Sequence, residues 1–430
     1  MPPLNVLIVG ASIAGPTAAY WFAKAGAKVT IIERFPHLRT NGQNVDIRTS
    51  GVSVMRKMPG MEAAVRLKTT PMEGISFVDG HDHPFATIRP TGNPDQQSLV
   101  SEYEIFRGDL AQILFDMTRE NENITYVFGE QVVSIEQRDD DDDGPVRVAF
   151  SNDIPTAEFD LVVACDGATS RTRAIGLQTS VWEHIRPLNW WTAFFTIQDD
   201  LLDGSRMGRS YSAVGGRFVG VGPDPSGVNR VTMMGIHPRN AGADVMRSFR
   251  EAQKGGPEEE EEEGLMVKKF VTQHYQGVGW KCNEIIDGMI ESEDFYATEM
   301  VQVKVPCLFK GRFALVGDAG YAGAPGSGTS LALTGAYVLA GEICKHGKGV
   351  GAGLQGYEKR MRPLIDDLQR MPPFIPAILG PQTSWGLWLR NSLLAFICWS
   401  GVLNFAQRFT WSNSSVEIEK YKVPDYEWER

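Results

Sequence analysis

The stretch NVLIVGASIAGPTAAYWFAKAGAKVTIIER, from Asn5 to Arg34, leaves little choice of fold. Leu4 to Val9 is a short apolar, β-branched run, as a buried strand requires. Pro16 to Ala25 then reads as a helix, with Ala18, Ala19, Phe22 and Ala23 available for an apolar face, and Val29 to Ile32 reads as a second strand. Strand, glycine-bearing turn, helix and strand at this spacing form a βαβ unit built for a dinucleotide. Gly10 suits the tight turn leaving the first strand, and Gly15 suits close packing of helix on strand. The helix N-terminus offers unpaired N–H groups and a positive dipole end to a pyrophosphate. Ser12 takes the place of the middle glycine of GxGxxG, with a hydroxyl able to bond a phosphate oxygen. Glu33, eighteen residues after Gly15, ends the second strand, where a carboxylate accepts from ribose hydroxyls and disfavours a 2′-phosphate. NADP is therefore not expected in this loop; the motif alone does not separate NAD from FAD.

The stretch that separates them lies far downstream. In GRFALVGDAGYAGAPGSGTSLALTGAYVLAGEI, Gly311 to Ile343, a strand over Phe313 to Val316 ends in Gly317 and Asp318. Pro325, Gly326, Gly328 and a long helix rich in Ala and Leu follow. An acid at that strand end is placed to bond a second polyol, the ribityl chain of a flavin, and the loop offers N–H groups to the ring edge. A third stretch, DLVVACDGATSRTR (Asp160 to Arg173), is another apolar strand, ending in Asp166 and Gly167.

These three stretches, in this order, resemble the class A (single-component) FAD-dependent monooxygenases, the family of para-hydroxybenzoate hydroxylase and the tetracycline-inactivating monooxygenases. The resemblance runs from about residue 4 to about residue 370. Gly10, Ser12, Gly15 and Glu33 match its N-terminal motif; Asp166 and Gly167, with Arg171 downstream, match its central DG motif; Gly317, Asp318, Pro325 and Gly328 match its GD motif. The resemblance also implies cofactor contacts for Arg48 in GQNVDIRTSG, near the FAD pyrophosphate, and for Arg107 in YEIFRGDLAQIL. A guanidinium suits that work because it stays charged and forks two bonds to phosphate oxygens. Arg34, beside Glu33, and Val132, through its backbone to the adenine, complete the candidate FAD contacts. Three positions depart from the family pattern: Ser12 for Gly, Tyr321 for the His after GDA, and Ser330 for a second Gly of the flavin loop.

The expected fold is α/β: a Rossmann-like FAD-binding domain with an inserted antiparallel-sheet substrate domain and C-terminal helices. The FAD-binding domain is read as discontinuous, over 1–68, 99–176 and 300–370. Residues 69–98, a hairpin turning at DGHD, and 177–299 form the substrate domain; 371–430 is a helical segment and tail. Strand candidates in the insertion are WWTAFFTI, RSYSAVG, RFVGVG and RVTMMGI, with helices over 245–254 and 265–275. Of Trp190, Trp191, Phe194 and Phe195, only one parity can line a pocket for a flat substrate. His81 and His83 read as turn-tip residues rather than metal ligands.

Composition bounds the partners. The formal net charge of −11 is matched by two acidic runs, five residues at Asp139–Asp143 and six at Glu258–Glu263, read as solvated tips. There is no basic block for nucleic acid. Five scattered cysteines without CxxC argue against a disulfide framework or zinc and for a reducing, cytoplasmic setting; no basic leader precedes the first strand. Asn391 to Gln407 carries no charge over 17 residues. It falls short of the roughly 20 mostly apolar residues of a span and reads as a buried or amphipathic helix, with membrane contact as the less favoured reading.

The resemblance implies that NADPH or NADH reduces FAD transiently, with no second nucleotide domain. O₂ then gives a flavin C4a-hydroperoxide, and one oxygen passes to an aromatic or polyketide-like small molecule. No catalytic base is assigned; Tyr103, Tyr211 and His237 read as structural. The alternatives are a reductase or halogenase of the same fold, an NAD-linked dehydrogenase, or a non-catalytic flavin binder. NWWTAFFTI lacks the WxWxIP expected of a halogenase, and a dehydrogenase leaves Gly317 to Gly328 unexplained.

Overall fold

The computed structural model describes residues 3–39, 42–90, 101–137, 144–152, 154–224, 226–238, 243–253, 260–347, 349–372, 374–401 and 422–428. The chain opens with β1 (Asn5–Val9), α1 (Ala14–Lys24), β2 (Lys28–Glu33), β3 (Asn44–Asp46), α2 (Thr49–Lys57) and α3 (Met61–Arg66). A hairpin of β4 (Gly74–Val78) and β5 (Pro84–Ile88) leads to β6 (Glu104–Phe106), α4 (Arg107–Asp116) and β7 (Ile124–Phe128). Next come β8 (Val132–Glu136), β9 (Val146–Phe150), β10 (Ala157–Phe159), β11 (Leu161–Ala164) and α5 (Arg171–Leu177). Four long strands follow, β12 (Ile185–Ile197), β13 (Met207–Ala213), β14 (Arg217–Pro223) and β15 (Asn229–Ile236). Three helices, α6 (Ala243–Ala252), α7 (Glu260–Tyr275) and α8 (Cys282–Glu291), precede β16 (Tyr296–Val303), β17 (Phe309–Lys310) and β18 (Phe313–Leu315). The chain closes with α9 (Asp318–Tyr321), α10 (Gly328–His346), α11 (Val350–Leu368), α12 (Ile375–Leu379) and α13 (Ser384–Ser400).

The apolar runs of β1, β11 and β18 lie side by side in a six-stranded sheet of order β17-β18-β11-β1-β2-β7. All of it is parallel except the β17–β18 pair. Val6, Leu7, Ile8 and every residue of β11 are buried, as strands covered on both faces must be. Helix α1 begins at Ala14, two residues before its expected start, and is buried nearly all round. Its outer side is covered too: Trp21 meets Tyr337 of α10 edge-on at 4.7 Å.

The second sheet has seven strands in the order β16-β12-β15-β14-β13-β4-β5. It is antiparallel but for the parallel β13–β4 pair, through which the 74–88 hairpin joins the inserted strands. Alternation decides its two faces. Trp191, Ala193, Phe195 and Ile197 pack with Val219, Val231 and Met233 against α6, α7 and α8. Trp190, Thr192 and Phe194 point the other way, opposite Met300, Thr298 and Tyr296 of β16. The helix layer on one face matches the sequence reading.

Two expectations need correction. Glu260 to Glu263 belong to helix α7 and not to a loop tip, while Glu258 and Glu259 lie outside the described residues. The Asp139–Asp143 run lies outside the described residues, between β8 and β9, which pair antiparallel. The predicted C-terminal helix forms as α13 but has no buried residue. Trp385 (68% exposed), Trp388, Leu389, Leu393, Phe396 and Trp399 (83% exposed) lie along one face of it. Residues 402–407 of that prediction are outside the described set. No helix among the described residues is long and apolar enough to cross a membrane.

Candidate active site

The β1–α1 turn is shaped by two close approaches. Gly10 has φ +107°, and a Cβ there would lie 2.6 Å from the Cys165 carbonyl oxygen. A Cβ on Gly15 would lie 1.9 Å from the Gly10 carbonyl oxygen. Only glycine fits either position. No side chain caps α1, so its first N–H groups remain available to an anion. Glu33 holds the turn from the next strand: one carboxylate oxygen accepts from the Ala11 N–H at 3.0 Å, the other from the Phe35 N–H at 3.2 Å. The Glu130 N–H donates to the Glu33 carbonyl at 2.9 Å, which brings the start of β8, and with it buried Val132, alongside.

Ser12 and Arg107, 95 residues apart, meet directly. The Arg107 guanidinium, at the first position of α4, donates to the Ser12 hydroxyl at 3.1 Å. Two further guanidiniums gather nearby. Arg34 and Arg39 both lie over the Phe35 ring, at 4.7 and 4.6 Å. Burial, and then the neighbouring Arg107 and Arg34, pull the Arg39 pKa down, while Tyr296 and Glu33 partly offset this. Like charges crowded in one place are unfavourable alone and await an anion. Arg39 escaped the sequence reading because it lies in a loop without a motif; its only signal was the RFPHLR spacing after Glu33.

The downstream motif closes on the same turn. A Cβ on Gly317 would lie 3.0 Å from that of Ala14 in α1. Asp318 follows, open to solvent yet ringed by protein, as on the floor of a cleft. Burial raises its pKa and Arg107 opposes the rise, so the guanidinium that bonds Ser12 also acts on the Asp318 acid. A Cβ on Gly328, the first residue of α10, would lie 3.9 Å from the Asp318 carboxylate, and no side chain caps that helix. Pro325 and Gly326 form the exposed loop before it.

Arg48 is set apart from Arg107. It makes two bonds to one Asp46 oxygen, at 2.7 and 3.1 Å, and its backbone N–H donates to the Ser330 hydroxyl at 2.8 Å. It therefore belongs to the 325–330 loop end of the cleft. Two of the departures from the family pattern are explained here. Ser330 ties α10 to the start of α2, and Tyr321 is a buried pillar whose hydroxyl fills the space that a Cβ on Gly335 would take.

The backbone of Asp166 abuts Gly10, but its carboxylate caps α5, accepting from the Ser170 hydroxyl at 2.5 Å and the Thr172 N–H at 3.2 Å. Downstream of it, Arg171 is exposed, whereas Arg173 is fully buried and donates to the carbonyls of Ala168, Ala319 and Val181 at 2.9 Å. Arg173 thus braces the DG turn against the Asp318 turn. Tyr103, Tyr211 and His237 lie elsewhere: Tyr103 under Arg66, Tyr211 stacked on Trp280, and His237 against His274. His81 and His83 cap a turn through their N–H groups on Asp79, and no group of three or more metal-ligating side chains occurs among the described residues.

The side of the seven-stranded sheet turned away from α6–α8 carries Tyr296, which acts on Arg39 of the guanidinium group. Leu188, Trp190 and Ile236 cluster there with Met234, Met300 and Met371. The Trp190 indole N–H and the Thr192 hydroxyl are buried without a hydrogen-bond partner. The far end of β16 docks on the flavin-motif turn, where the Val303 N–H donates to Ala322 and the Gln302 amide to Gly323.

Such a cleft defines a flavoprotein: two acids, the capless starts of α1 and α10 and clustered guanidiniums fit the polyol and diphosphate of FAD. Residues 3–371 match the family described as FAD binding domain. The chain is 32% identical to the FAD-dependent monooxygenase asL4 of Sarocladium schorii, covering 99% of each chain. It is 30% identical to the monooxygenase CTB7 of Cercospora beticola, covering 99% of this chain and 98% of the other. Its structure aligns with that of tetracycline destructase Tet(51) at a TM-score of 0.72 and 25% identity, over 99% and 100% of the two chains. HpxO of Klebsiella pneumoniae, solved with FAD and uric acid, shares the fold at a TM-score of 0.69 and 18% identity, over 94% and 96%. This chain belongs to the FAD-binding-domain family and is an FAD-dependent monooxygenase. FAD is its cofactor, NAD(P)H its transient reductant and a small molecule its substrate.

Proposed function

We propose that this monooxygenase inserts one oxygen atom from O₂ into an aromatic or polyketide-like small molecule, held between FAD and the apolar face of the seven-stranded sheet. When bound, FAD takes electrons from NAD(P)H and activates O₂. The chain's own residues hold and shield it. Gly10 and Gly15 shape the turn at the diphosphate, with Ser12, Arg34, Arg39 and Arg107 beside it. Glu33 and Val132 serve the adenosine end, Asp318 the ribityl chain, and Pro325, Gly328 and Arg48 the flavin end. Asp166 acts through its backbone and through α5. The division into 1–68, 99–176 and 300–370 against 69–98 and 177–299 follows the same assignment. The five free cysteines support a cytoplasmic location.

The observation that carries the reading is that Arg107 bonds Ser12 while its charge acts on Asp318, since one extended cofactor would span both motifs. The substrate class is supported by the Trp190–Met300 surface, with its two unpartnered polar atoms on an apolar wall. Such a wall excludes water and orients a flat ligand. A related protein by name destroys tetracycline, and a structural neighbour holds uric acid. The test is a screen of aromatic and polyketide-like compounds for stimulated NAD(P)H oxidation. The expected product carries one added oxygen by mass. Oxidation that no such compound stimulates would remove the substrate assignment.

A further inference from the structure

Beside the cleft lies a titratable cluster of which the FAD assignment uses only Arg48; Asp46 and Glu104 are left without a role. Strands β3 and β6 pair antiparallel, with Asp46 directly opposite Glu104 and Asn44 opposite Phe106. Directly opposed side chains on a ladder lie about 5 Å apart at their Cβ atoms, and like charges there repel. Asp46 is already committed to Arg48 through two bonds. Glu104 instead accepts from the Asn44 amide at 2.6 Å. Among the described residues, the charged groups acting on Glu104 are Asp46 and Arg48; Asn44 and Thr70 bond to it. Surrounding protein first, and then Asp46, push its pKa up to about 7, although the side chain keeps partial access to solvent and its bond to Asn44 is exposed; burial raises Asp46 as well. One guanidinium thus faces two carboxyl groups and neutralises one. This cluster adjoins the flavin-motif loop: the Arg48 N–H bonds Ser330, and a Cβ on Gly326 would lie 4.0 Å from the Arg48 side-chain nitrogen.

We propose that Glu104 is a positioning residue that holds a proton across from the Asp46–Arg48 pair, keeping Arg48 aligned with the 325–330 loop and the flavin end of the cleft uncharged. Protonated, the three side chains sum to zero charge. Deprotonated, they sum to −1, and the second carboxylate competes with Asp46 for Arg48. An added negative charge beside a flavin opposes its reduction, because reduction itself adds charge. Glu104 therefore couples ambient pH to the ease of flavin reduction, a role that rests on the flavin being seated as proposed above.

Two measurements on the full-length protein test this. The first is infrared titration of the carboxyl groups with and without FAD. A protonated-carboxyl band is expected to vanish around pH 7, to be absent in Glu104→Gln, and to move acidward by about one pH unit or more in Asp46→Asn. The second is the flavin midpoint potential against pH. The wild-type and Glu104→Gln potentials are expected to coincide at about pH 6 and to diverge at about pH 8, with wild type the harder to reduce. An infrared transition unchanged in both variants, or no transition near neutrality, overturns the assignment. A potential difference that does not vary with pH overturns the coupling. A protein that fails to bind FAD yet shows the Glu104 infrared transition breaks the seating of the flavin while leaving the proton on Glu104 intact.

Discussion

Arg107 is the residue on which the cofactor reading turns, because it alone touches Ser12 and acts on Asp318. Hydrogen bonds to charged groups are worth about 1.5–3 kcal/mol each. Arg107→Ala and Asp318→Ala are each expected to weaken FAD binding by about tenfold to a hundredfold. Flavin-to-protein absorbance ratios of the purified variants, and titration of the apoproteins with FAD, check this; full flavin content in both contradicts the assignment. Gly10→Ala is a harsher change: a left-handed φ costs a non-glycine residue about 1–2 kcal/mol, and its methyl meets the Cys165 carbonyl at 2.6 Å. Loss of bound flavin together with lower thermal stability is the expected outcome. The residues legible in sequence were those tied to glycine turns and strand ends, where backbone geometry forces the pattern. Arg39 and Arg173 were not, because their roles arise from contacts between distant segments. Arg173 is an instance: it reaches Ala319, 146 residues away, and no spacing rule encodes that bond.

Among the elements, the seven-stranded sheet shows what alternation can and cannot reveal. Parity correctly predicted that half of the aromatic residues in β12 are core, with Trp191 and Phe195 under the helices. It could not say that β4 and β5 extend the same sheet, since strand order is set by long-range pairing. Nor could the uncharged run at the C-terminus tell a buried helix from α13, whose exposed stripe depends on which neighbours cover it. The helix layer carries a pH-sensitive pair that sequence did not flag. His274 of α7 stacks on Phe270 and meets His237 and Trp191 at 5.3 Å. Burial, then His237 and Arg217, push it down to about 3. The unfolded chain takes up a proton near the ordinary pKa of about 6.5 while the folded chain does not. Stability from this group is therefore complete above about pH 6.5 and is lost progressively as pH falls toward 3. Going from about pH 7 to about pH 5, the loss is about 2 kcal/mol. Urea unfolding of wild type and His274→Phe at the two pH values checks this: the variant is expected to lose about 2 kcal/mol less over the interval. Equal losses would assign the acid sensitivity to other groups.

At the scale of the whole molecule, the cofactor cleft is held from behind by the end of the chain. Residues 422–428 return to the six-stranded-sheet side, where Val423 is buried in its core and the Tyr337 hydroxyl donates to the Pro424 carbonyl at 2.7 Å. The Tyr426 hydroxyl donates to Glu342 at 2.8 Å, and that buried acid also accepts from Arg360 at 2.5 Å. Trp428 lies 4.7 Å from Trp21 and 5.5 Å from Tyr337, so the tail packs on α1 and α10 together. These are the two helices whose N-termini line the cleft. A Cβ on Gly341 would lie 2.1 Å from the Tyr426 ring, so α10 is shaped to receive this segment. Removing a buried aromatic ring costs about 3 kcal/mol or more in a core, and less where the ring is only partly buried, as Trp428 is. Deleting residues 422–430 uncovers Trp21 and strips Glu342 of one donor, so the α1–α10 pair should loosen. The expected result is a lower thermal midpoint and faster FAD release. Trp428→Ala should give a smaller shift in the same direction, of about 1–2 kcal/mol. Hydrogen exchange should localise the loss to α1 and α10 and leave β12–β15 protected, because the tail contacts on Trp21, Tyr337 and Glu342 all fall on the six-stranded-sheet side. Unchanged FAD release in the deletion variant would show that the tail covers the back of these helices without steadying the cleft at their front.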